Sequence, residues 1–241
     1  MEEIDIASLR IALSDGASES VLAGLWAQTL VDHFVAVTPG AIASRESFGD
    51  EAVMATASWE ATLGDYIAQR DAAGRPIRWY EQPKLDRGAY ATLLAVAFHP
   101  LGKGEPTDPR DVGWWSAAVI GDCCLFQVRD RSLVTAFPLT GSDDFGTSPH
   151  LLNSRNRNSL LISERVVMST GSLQQQDDFY LCTDAMAAWF LREVEQGGRP
   201  WEELRDLGMR DRPSFADFVE TQRASGRMRN DDTTLIHVAV W

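Results

Sequence analysis

Apolar and polar residues alternate with two different periods near the start of the chain. Leu9, Ile11 and Leu13 alternate with other residues, which is the period of a half-buried strand. Between residues 22 and 34 the apolar side chains recur at helical spacing, so this segment is predicted to be a helix with one buried face. A second helix is predicted over residues 50–71, and the Gly-Arg-Pro of residues 74–76 ends it.

The middle of the chain has a different pattern, with short apolar segments separated by Gly, Pro and Asp. Such segments are typical of strands in antiparallel meanders. The strands predicted here cover residues 90–98, 114–120, 124–128 and 133–137. The polar stretch 141–158 has no period and is predicted to be a surface loop or flap.

The last third of the chain returns to longer elements. A strand over residues 179–183 leads through Asp184 into a helix. The residues predicted on its buried side are Met186, Trp189, Phe190 and Val194. The remaining predicted elements are short helices near 200–207 and 214–223 and a closing strand over 234–240. Strands and helices are clustered and do not alternate strictly, which favours an α+β layered sandwich over a doubly wound parallel sheet.

Composition indicates the size of the core and the kinds of partner that the protein can bind. With 241 residues, 44% of them apolar, the chain can bury a large core, and we expect a single domain over residues 1–241. The formal charge of −13 argues against nucleic acid or an anionic membrane surface as the main partner, because like charges repel.

Cysteine usage and hydropathy bear on the compartment. Cys123, Cys124 and Cys182 imply neither a paired disulfide framework nor zinc spacing, so a reducing compartment is expected. No run approaches the roughly 20 apolar residues that a membrane-spanning helix needs. The start, MEEIDIASLR, is acidic where a signal peptide would be basic, and we expect a cytoplasmic protein.

Three aspartates lie at the ends of predicted strands. Asp15 and Asp184 each follow an apolar strand, and Asp231 precedes the closing strand. Carboxylates held at a sheet edge suit Mg²⁺ or Mn²⁺, and two such ions about 3.5–4 Å apart can share a hydroxide that attacks phosphorus. Aspartate is also common in turns and helix caps, so the positions alone leave both interpretations open.

Five local sequences, taken in chain order, resemble motifs of the type 2C, metal-dependent protein phosphatases (PPM). The motifs are SDGAS at 14–18, YATLL at 90–94, VIGD at 119–122, FYLCTDA at 179–185 and NDDTT at 230–234. Each motif is weak alone, and the ordered set covers most of the chain. The sequence therefore resembles a divergent, bacterial-like member of that family.

The resemblance implies a fold and a chemistry. The implied fold is a four-layer αββα sandwich of two antiparallel sheets flanked by helices. Asp15 would bridge two Mn²⁺ or Mg²⁺ ions, the carbonyl of Gly16 would bind one of them, and Asp184 and Asp231 would complete the coordination. The implied reaction is hydrolysis of phosphoserine or phosphothreonine on a phosphorylated protein by a metal-activated water, without a phospho-enzyme.

The N-terminal part departs from the family pattern. The family usually carries an Arg and a Glu-Asp pair on a strand before the Asp-Gly motif, and only fourteen residues precede Asp15. Glu3 and Asp5 are the nearby carboxylates that would stand in. Ala17 replaces the His with which many members protonate the leaving group, and His150 in the predicted flap is a weak candidate for that role.

Three further positions bear on the outer part of the implied site. Ala185 replaces the usual Gly, and Ala188 stands where many members carry an Asp for a third metal. Asp122 is retained from that outer site, but a turn residue is an equal interpretation. Arg155 and Arg157 in the flap are weak candidates for phosphate binding, because guanidinium pairs well with phosphate.

Three candidate functions are consistent with these motifs. The leading hypothesis is a metal-dependent protein serine/threonine phosphatase with Asp15, Asp184 and Asp231 as its metal core. The alternative is a catalytically weak or inactive phosphatase-like domain that binds or regulates a partner. Another two-metal hydrolase, such as a nuclease or small-molecule phosphatase, is the third, and the acidic charge speaks against nucleic acid.

Overall fold

The computed structural model describes residues 9–102, 108–146, 149–208 and 212–241. Its helices are α1 (Ala23–Ala36), α2 (Arg45–Ala72), α3 (Gln82–Asp86), α4 (Ser159–Arg165), α5 (Asp184–Glu195), α6 (Pro200–Gly208) and α7 (Arg212–Ala224). Its strands are β1 (Arg10–Leu13), β2 (Tyr90–Ala91), β3 (Leu93–Pro100), β4 (Asp111–Ile120), β5 (Cys124–Arg129), β6 (Ser132–Phe137), β7 (Leu152–Asn153), β8 (Val167–Gln174), β9 (Asp178–Cys182) and β10 (Leu235–Ala239). Glu3 and Asp5 lie outside the described residues.

The chain divides into two compact units. One contains the described residues of 1–99, 115–121 and 150–170, and the other those of 100–114, 122–149 and 171–241. The expectation of one domain over the whole chain stays a prediction. None of the helices in the described ranges is long and apolar enough to cross a membrane.

The core of the first unit is built on α1 and α2. The apolar period of α1 buries Trp26, Leu30 and Phe34, as the sequence predicts. Helix α2 begins five residues earlier than predicted, because Ser44 caps it: the Ser44 hydroxyl accepts a hydrogen bond from the Ser47 amide at 3.1 Å. These helices pack through the rings of Trp26 and Trp59, and α1 also contacts β1.

Antiparallel pairing organises the strands. One four-stranded sheet has the order β1-β3-β4-β8, a second has the order β10-β9-β5-β6, and β2 pairs with β7. The β5–β6 hairpin turns through Asp130 and Arg131, which have φ of 50° and 60° and thus follow the twist that two-residue hairpins need. The predicted α+β class with antiparallel sheets and helices is confirmed.

Helix α5 carries the core of the second unit. Its buried residues include Met186, Trp189 and Phe190, on the face that the sequence pattern predicts. The Phe190 ring stacks on Phe126 of β5 with centroids 4.2 Å apart, and Trp189 meets Phe218 of α7 edge to face. Aromatic packing of this kind fixes the start of α5, where Asp184 lies.

Several elements differ from the prediction. Helices α3 and α4 and strand β8 are not in the predicted set. The stretch 141–158 contains a 3₁₀ helix at Ser142–Asp144 and the strand β7, and Phe145 and Leu152 are buried in it. Its polar sequence concealed these two apolar anchors, and the expectation of a surface loop or flap over 141–158 stays a prediction.

Candidate metal and phosphate site

Three strand ends meet at one edge of the second unit's sheet. Cys182, the last residue of β9, is paired with Cys124 of β5 on one side and with Leu235 of β10 on the other. Asp184 follows this end of β9, Asp122 precedes β5, and Asp231 precedes β10. Antiparallel register therefore gathers three aspartates that are far apart in the sequence.

Asp184 is held by the junction between β9 and α5. It is the first residue of α5, where its Oδ1 accepts a hydrogen bond from the Ala185 amide at 2.6 Å. The preceding Thr183 donates from its hydroxyl to the Asp232 carbonyl at 3.2 Å and accepts from the Thr234 amide at 3.0 Å. These bonds tie the C-terminal segment to the end of β9.

Asp231 lies in that tied segment and is exposed. Its Oδ1 accepts from the Asp232 amide at 2.9 Å, a turn contact of the kind aspartate often makes. The Asp231 carbonyl accepts from the Arg223 guanidinium and from the Thr233 hydroxyl. The backbone is thus fixed while the carboxylate faces solvent.

Asp122 follows a turn that requires glycine. Gly121 has φ of 111°, and a Cβ added there would lie 2.5 Å from Cγ2 of Thr92. Burial, followed by repulsion from Asp184 and more weakly from Asp231, raises the pKa of Asp122 to about 6. The carboxylates therefore sense one another's charge.

One cation balances part of this negative charge. Burial raises the pKa of Asp184, Asp231 raises it further, and Arg229 opposes the shift. The Arg229 Nη1 lies 3.9 Å from the Asp184 Oδ2, and its Nη2 donates to the Phe145 carbonyl at 3.2 Å. Sequence reasoning missed Arg229, although its place two residues before Asp231 was a usable signal.

The donor chemistry of this acidic edge suits a hard divalent cation. Carboxylate oxygens are the ligands that Mg²⁺ and Mn²⁺ prefer. Among the residues that the structure describes, no three His, Cys, Asp or Glu side chains are arranged to hold a metal ion. The residue types fit such an ion, and the side chains as they stand do not yet surround one.

Asp15 and Gly16 belong to the first unit. The Asp15 amide donates to the Thr92 hydroxyl at 2.9 Å, and its carbonyl accepts from the Thr92 amide at 2.8 Å. A Cβ at Gly16 would lie 2.7 Å from the Ala23 carbonyl carbon, so this position requires glycine. Their predicted part in metal binding, together with Asp184 and Asp231, stays a prediction.

The weaker candidates have structural contacts of their own. Arg155 donates to the Leu85 carbonyl at 3.2 Å, and Arg157 forms an ion pair with Glu60. His150 is exposed. Phosphate binding by the two arginines and proton transfer by His150 stay predictions.

The two alanines that replace family residues lie in the core. Ala185 and Ala188 are 1% and 2% exposed and belong to the apolar cluster of the second unit. A buried methyl group at Ala188 offers no oxygen ligand, so that position cannot contribute to a third metal. Asp122 would have to bind such an ion with other partners.

Solved structures with a similar fold include protein phosphatases. The catalytic domain of the serine/threonine protein phosphatase PstP, in complex with two manganese ions, matches with a TM-score of 0.54 at 14% identity over 96% of this chain and 88% of that chain. PppA, a key regulatory component of the type VI secretion system in Pseudomonas aeruginosa, matches with a TM-score of 0.52 at 14% identity over 96% and 86%. A bacterial serine phosphatase matches with a TM-score of 0.54 at 12% identity over the same shares.

The likeness lies in the fold and not in the sequence. The sequence matches no protein-family model and no curated protein. At 12–14% identity the structural matches show that the chain has the fold of the PPM serine/threonine phosphatases. The resemblance inferred from five short motifs is confirmed at that level.

Proposed function

We propose that this chain is a metal-dependent phosphatase of the PPM family that hydrolyses phosphoserine or phosphothreonine on proteins. The observation that carries the proposal is the meeting of Asp122, Asp184 and Asp231 at one sheet edge, where burial and mutual repulsion raise the pKa of the first two. Clustered carboxylates with raised pKa values are costly for folding and are typical of functional sites. The fold shared with known phosphatases supports the same reaction class.

The proposed roles follow the positions of the side chains. Asp184 and Asp231 would bind Mn²⁺ or Mg²⁺ through carboxylate oxygens. The resemblance implies that the Asp15 carboxylate and the Gly16 carbonyl also contribute oxygen ligands. When bound, such ions supply an activated water and neutralise the phosphate charge. Arg229 would hold its positive charge beside Asp184, where it limits repulsion within the cluster and can attract a phosphate.

The test is phosphate release in the presence of Mn²⁺. The protein should hydrolyse p-nitrophenyl phosphate and a phosphothreonine peptide with Mn²⁺ and not with EDTA. Asp184→Asn should lower turnover about 100-fold or more, since even outer partners of a metal site cost up to about that factor. Calorimetric titration with Mn²⁺ should show weaker binding by the same variant.

A matched control is available on the same unit. Asp217 is exposed on α7 and is not one of the clustered aspartates, so Asp217→Asn removes the same single charge and should leave turnover unchanged. Equal turnover of the wild type and Asp184→Asn, or turnover that persists in EDTA, would show that the reaction does not use this edge.

A catalytically weak or inactive binding domain is the second candidate. The described side chains do not surround a metal ion, and Ala188 removes an oxygen ligand from the outer site. A protein that folds without metal, fails to bind Mn²⁺ and releases no phosphate from either substrate would be this domain. Binding of the phosphopeptide without turnover would identify it directly.

A further inference from the structure

An exposed aromatic surface lies in the first unit, in the segment that joins α2 to α3. Trp79 is 87% exposed and Tyr80 is 51% exposed. Their rings lie 5.9 Å apart, edge to face. Isolated exposed apolar residues are ordinary, but two adjacent large aromatic side chains in solvent are uncommon and mark interaction sites.

The segment is anchored on both sides of these rings. Ile77 packs against the apolar core, and Leu85 is 6% exposed within it. Trp79 and Tyr80 lie between these anchors and face outward. Ile77 and Leu85 thus pack into the core, whereas the two large aromatic side chains of the segment remain in solvent.

Hydrogen bonds hold the segment in one shape. Glu81 accepts from the Arg70 guanidinium at 2.8 Å and from the Arg78 amide at 2.8 Å. Arg70 also donates from Nε to the Arg75 carbonyl at 2.9 Å, so one side chain of α2 ties down both halves of the segment. A surface that is already ordered loses less conformational freedom on binding.

The charge of this segment is opposite to that of the whole chain. Residues 75–87 contain four basic and two acidic residues, while the chain carries −13. The carboxylate of Glu81 is engaged by Arg70, and that of Asp86 accepts from the Gln82 amide group at 2.9 Å. Arg75, Arg78 and Lys84 are exposed, and the Arg78 Nη1 donates to the Tyr80 hydroxyl at 3.3 Å.

We propose that Trp79, Tyr80, Arg75, Arg78 and Lys84, here called the Trp79 surface, form a docking site for an acidic segment of a protein partner that also carries apolar side chains. Arg and aromatic residues are the types that dominate binding hot spots. A short acidic segment meets only the local positive charge. An extended polyanion such as nucleic acid or an anionic membrane also meets the rest of a chain whose total net charge is −13, and it is repelled.

Fluorescence anisotropy tests this surface with a defined probe. The probe is a short fluorescein-labelled peptide of glutamates around two leucines, and its partner has glutamine in place of every glutamate. The full chain should bind the acidic peptide and bind the glutamine peptide about tenfold more weakly or not at all, because the charges are lost. Affinity should fall as ionic strength rises to about 0.15 M.

Matched variants distinguish binding at the Trp79 surface from nonspecific binding. Trp79→Ala and Tyr80→Ala should each weaken peptide binding about tenfold or more, as for hot-spot residues. Trp241→Ala, which removes an 83% exposed indole from the second unit, should leave binding unchanged. Arg78→Gln should weaken binding, and Arg131→Gln, at a side chain that is 70% exposed elsewhere, should not.

Four outcomes would overturn the proposal. They are equal binding by wild type and Trp79→Ala, equal binding of the two peptides, binding to phosphatidylserine vesicles in place of the peptide, and a dimer in sedimentation that Trp79→Ala converts to a monomer. None of these readouts uses phosphatase activity, so the result is independent of the proposed reaction.

Discussion

The two ends of strand β9 carry aspartates in opposite electrical surroundings. At its start, Asp177 is enclosed by donors: its side chain is 0% exposed, and Arg129 contacts it through Nε and Nη2 at 2.7 Å each. The Gln127 side-chain amide and the Gln174 backbone amide each donate a hydrogen bond of 2.8 Å to the Asp177 Oδ2. Asp178 beside it bonds to His237 and forms an ion pair with Arg205.

At the other end, fewer donors contact the aspartate among the residues that the structure describes. Asp184 accepts one hydrogen bond from the Ala185 amide, and the nearest guanidinium nitrogen of Arg229 lies 3.9 Å away. Burial and neighbouring carboxylates raise the pKa of Asp184 and Asp122. The same residue type thus completes a structural network at one end of the strand and concentrates incompletely compensated negative charge at the other.

This difference separates folding from function within one sheet. A buried carboxylate that receives several charge-assisted hydrogen bonds stabilises the fold only as a complete set. A group of carboxylates that repel one another does not help the fold, and it becomes useful when a cation arrives. A cation should therefore bind more favourably at the Asp184 end than at the Asp177 end.

The largest expected effect comes from breaking the Asp177 end. Asp177→Asn removes the negative charge that pairs with the Arg129 guanidinium. It also places an NH2 donor where one carboxylate oxygen accepts hydrogen bonds. We expect a loss of about 3–5 kcal/mol in the free energy of unfolding, as for other broken buried ion pairs. Thermal unfolding in EDTA should show a midpoint roughly 10 °C lower, at about 2–4 °C per kcal/mol for a chain of this size.

Asp184→Asn is the matched change at the other end. It removes a carboxylate whose ionised form is disfavoured, so stability in EDTA should stay the same or rise slightly. Equal destabilisation by the two variants would contradict the contrast between the two ends of β9.

The sequence predicted most long elements because their patterns have one strong period. Helix α5 shows helical spacing of large side chains, and Trp189 and Phe190 are buried as expected. Strand β8 has polar or small residues at most positions and only ends in buried side chains, so no period indicates it. Ser44 extended α2 through a cap that hydropathy alone does not reveal.

The acidic edge was predicted only in part. Asp184 and Asp231 were found because they border apolar strands and resemble family motifs. Their neighbourhood depends on the register of β5, β9 and β10, which periodicity along one strand does not encode. The same limit explains why Arg229 was missed and why the role of Asp122 stayed open between turn and site.

The second effect is a pH dependence that belongs to the Asp184 end. Because the pKa of Asp122 is about 6 in the folded protein against an ordinary value of 3.8, the folded state keeps a proton that the unfolded chain releases. Stability from this group is highest below about pH 4 and falls as the pH rises to about 6, by about 1–2 kcal/mol after solvent screening. Asp122→Asn should remove this fall.

Urea unfolding in EDTA at several pH values measures the slope. The wild type and Asp122→Asn should have similar stability near pH 4, and the variant should be more stable near pH 7. A wild-type slope that survives in the variant would mean that Asp122 is not the titrating group.

The smallest effect distinguishes the two arginines. Arg229 and Asp184 form a long ion pair with side chains 49% and 15% exposed, whereas Arg129 is 19% exposed and holds a fully buried partner. Exposed pairs contribute about 0–1 kcal/mol, so Arg229→Gln should change the unfolding free energy by less than about 1 kcal/mol. Arg129→Gln should cost about 3 kcal/mol or more, because it removes the partner of a fully buried carboxylate. The two Arg→Gln variants thus compare how much each end of β9 depends on its own cation for stability. Similar losses of unfolding free energy in urea would mean that Arg229 stabilises the fold as much as Arg129 does.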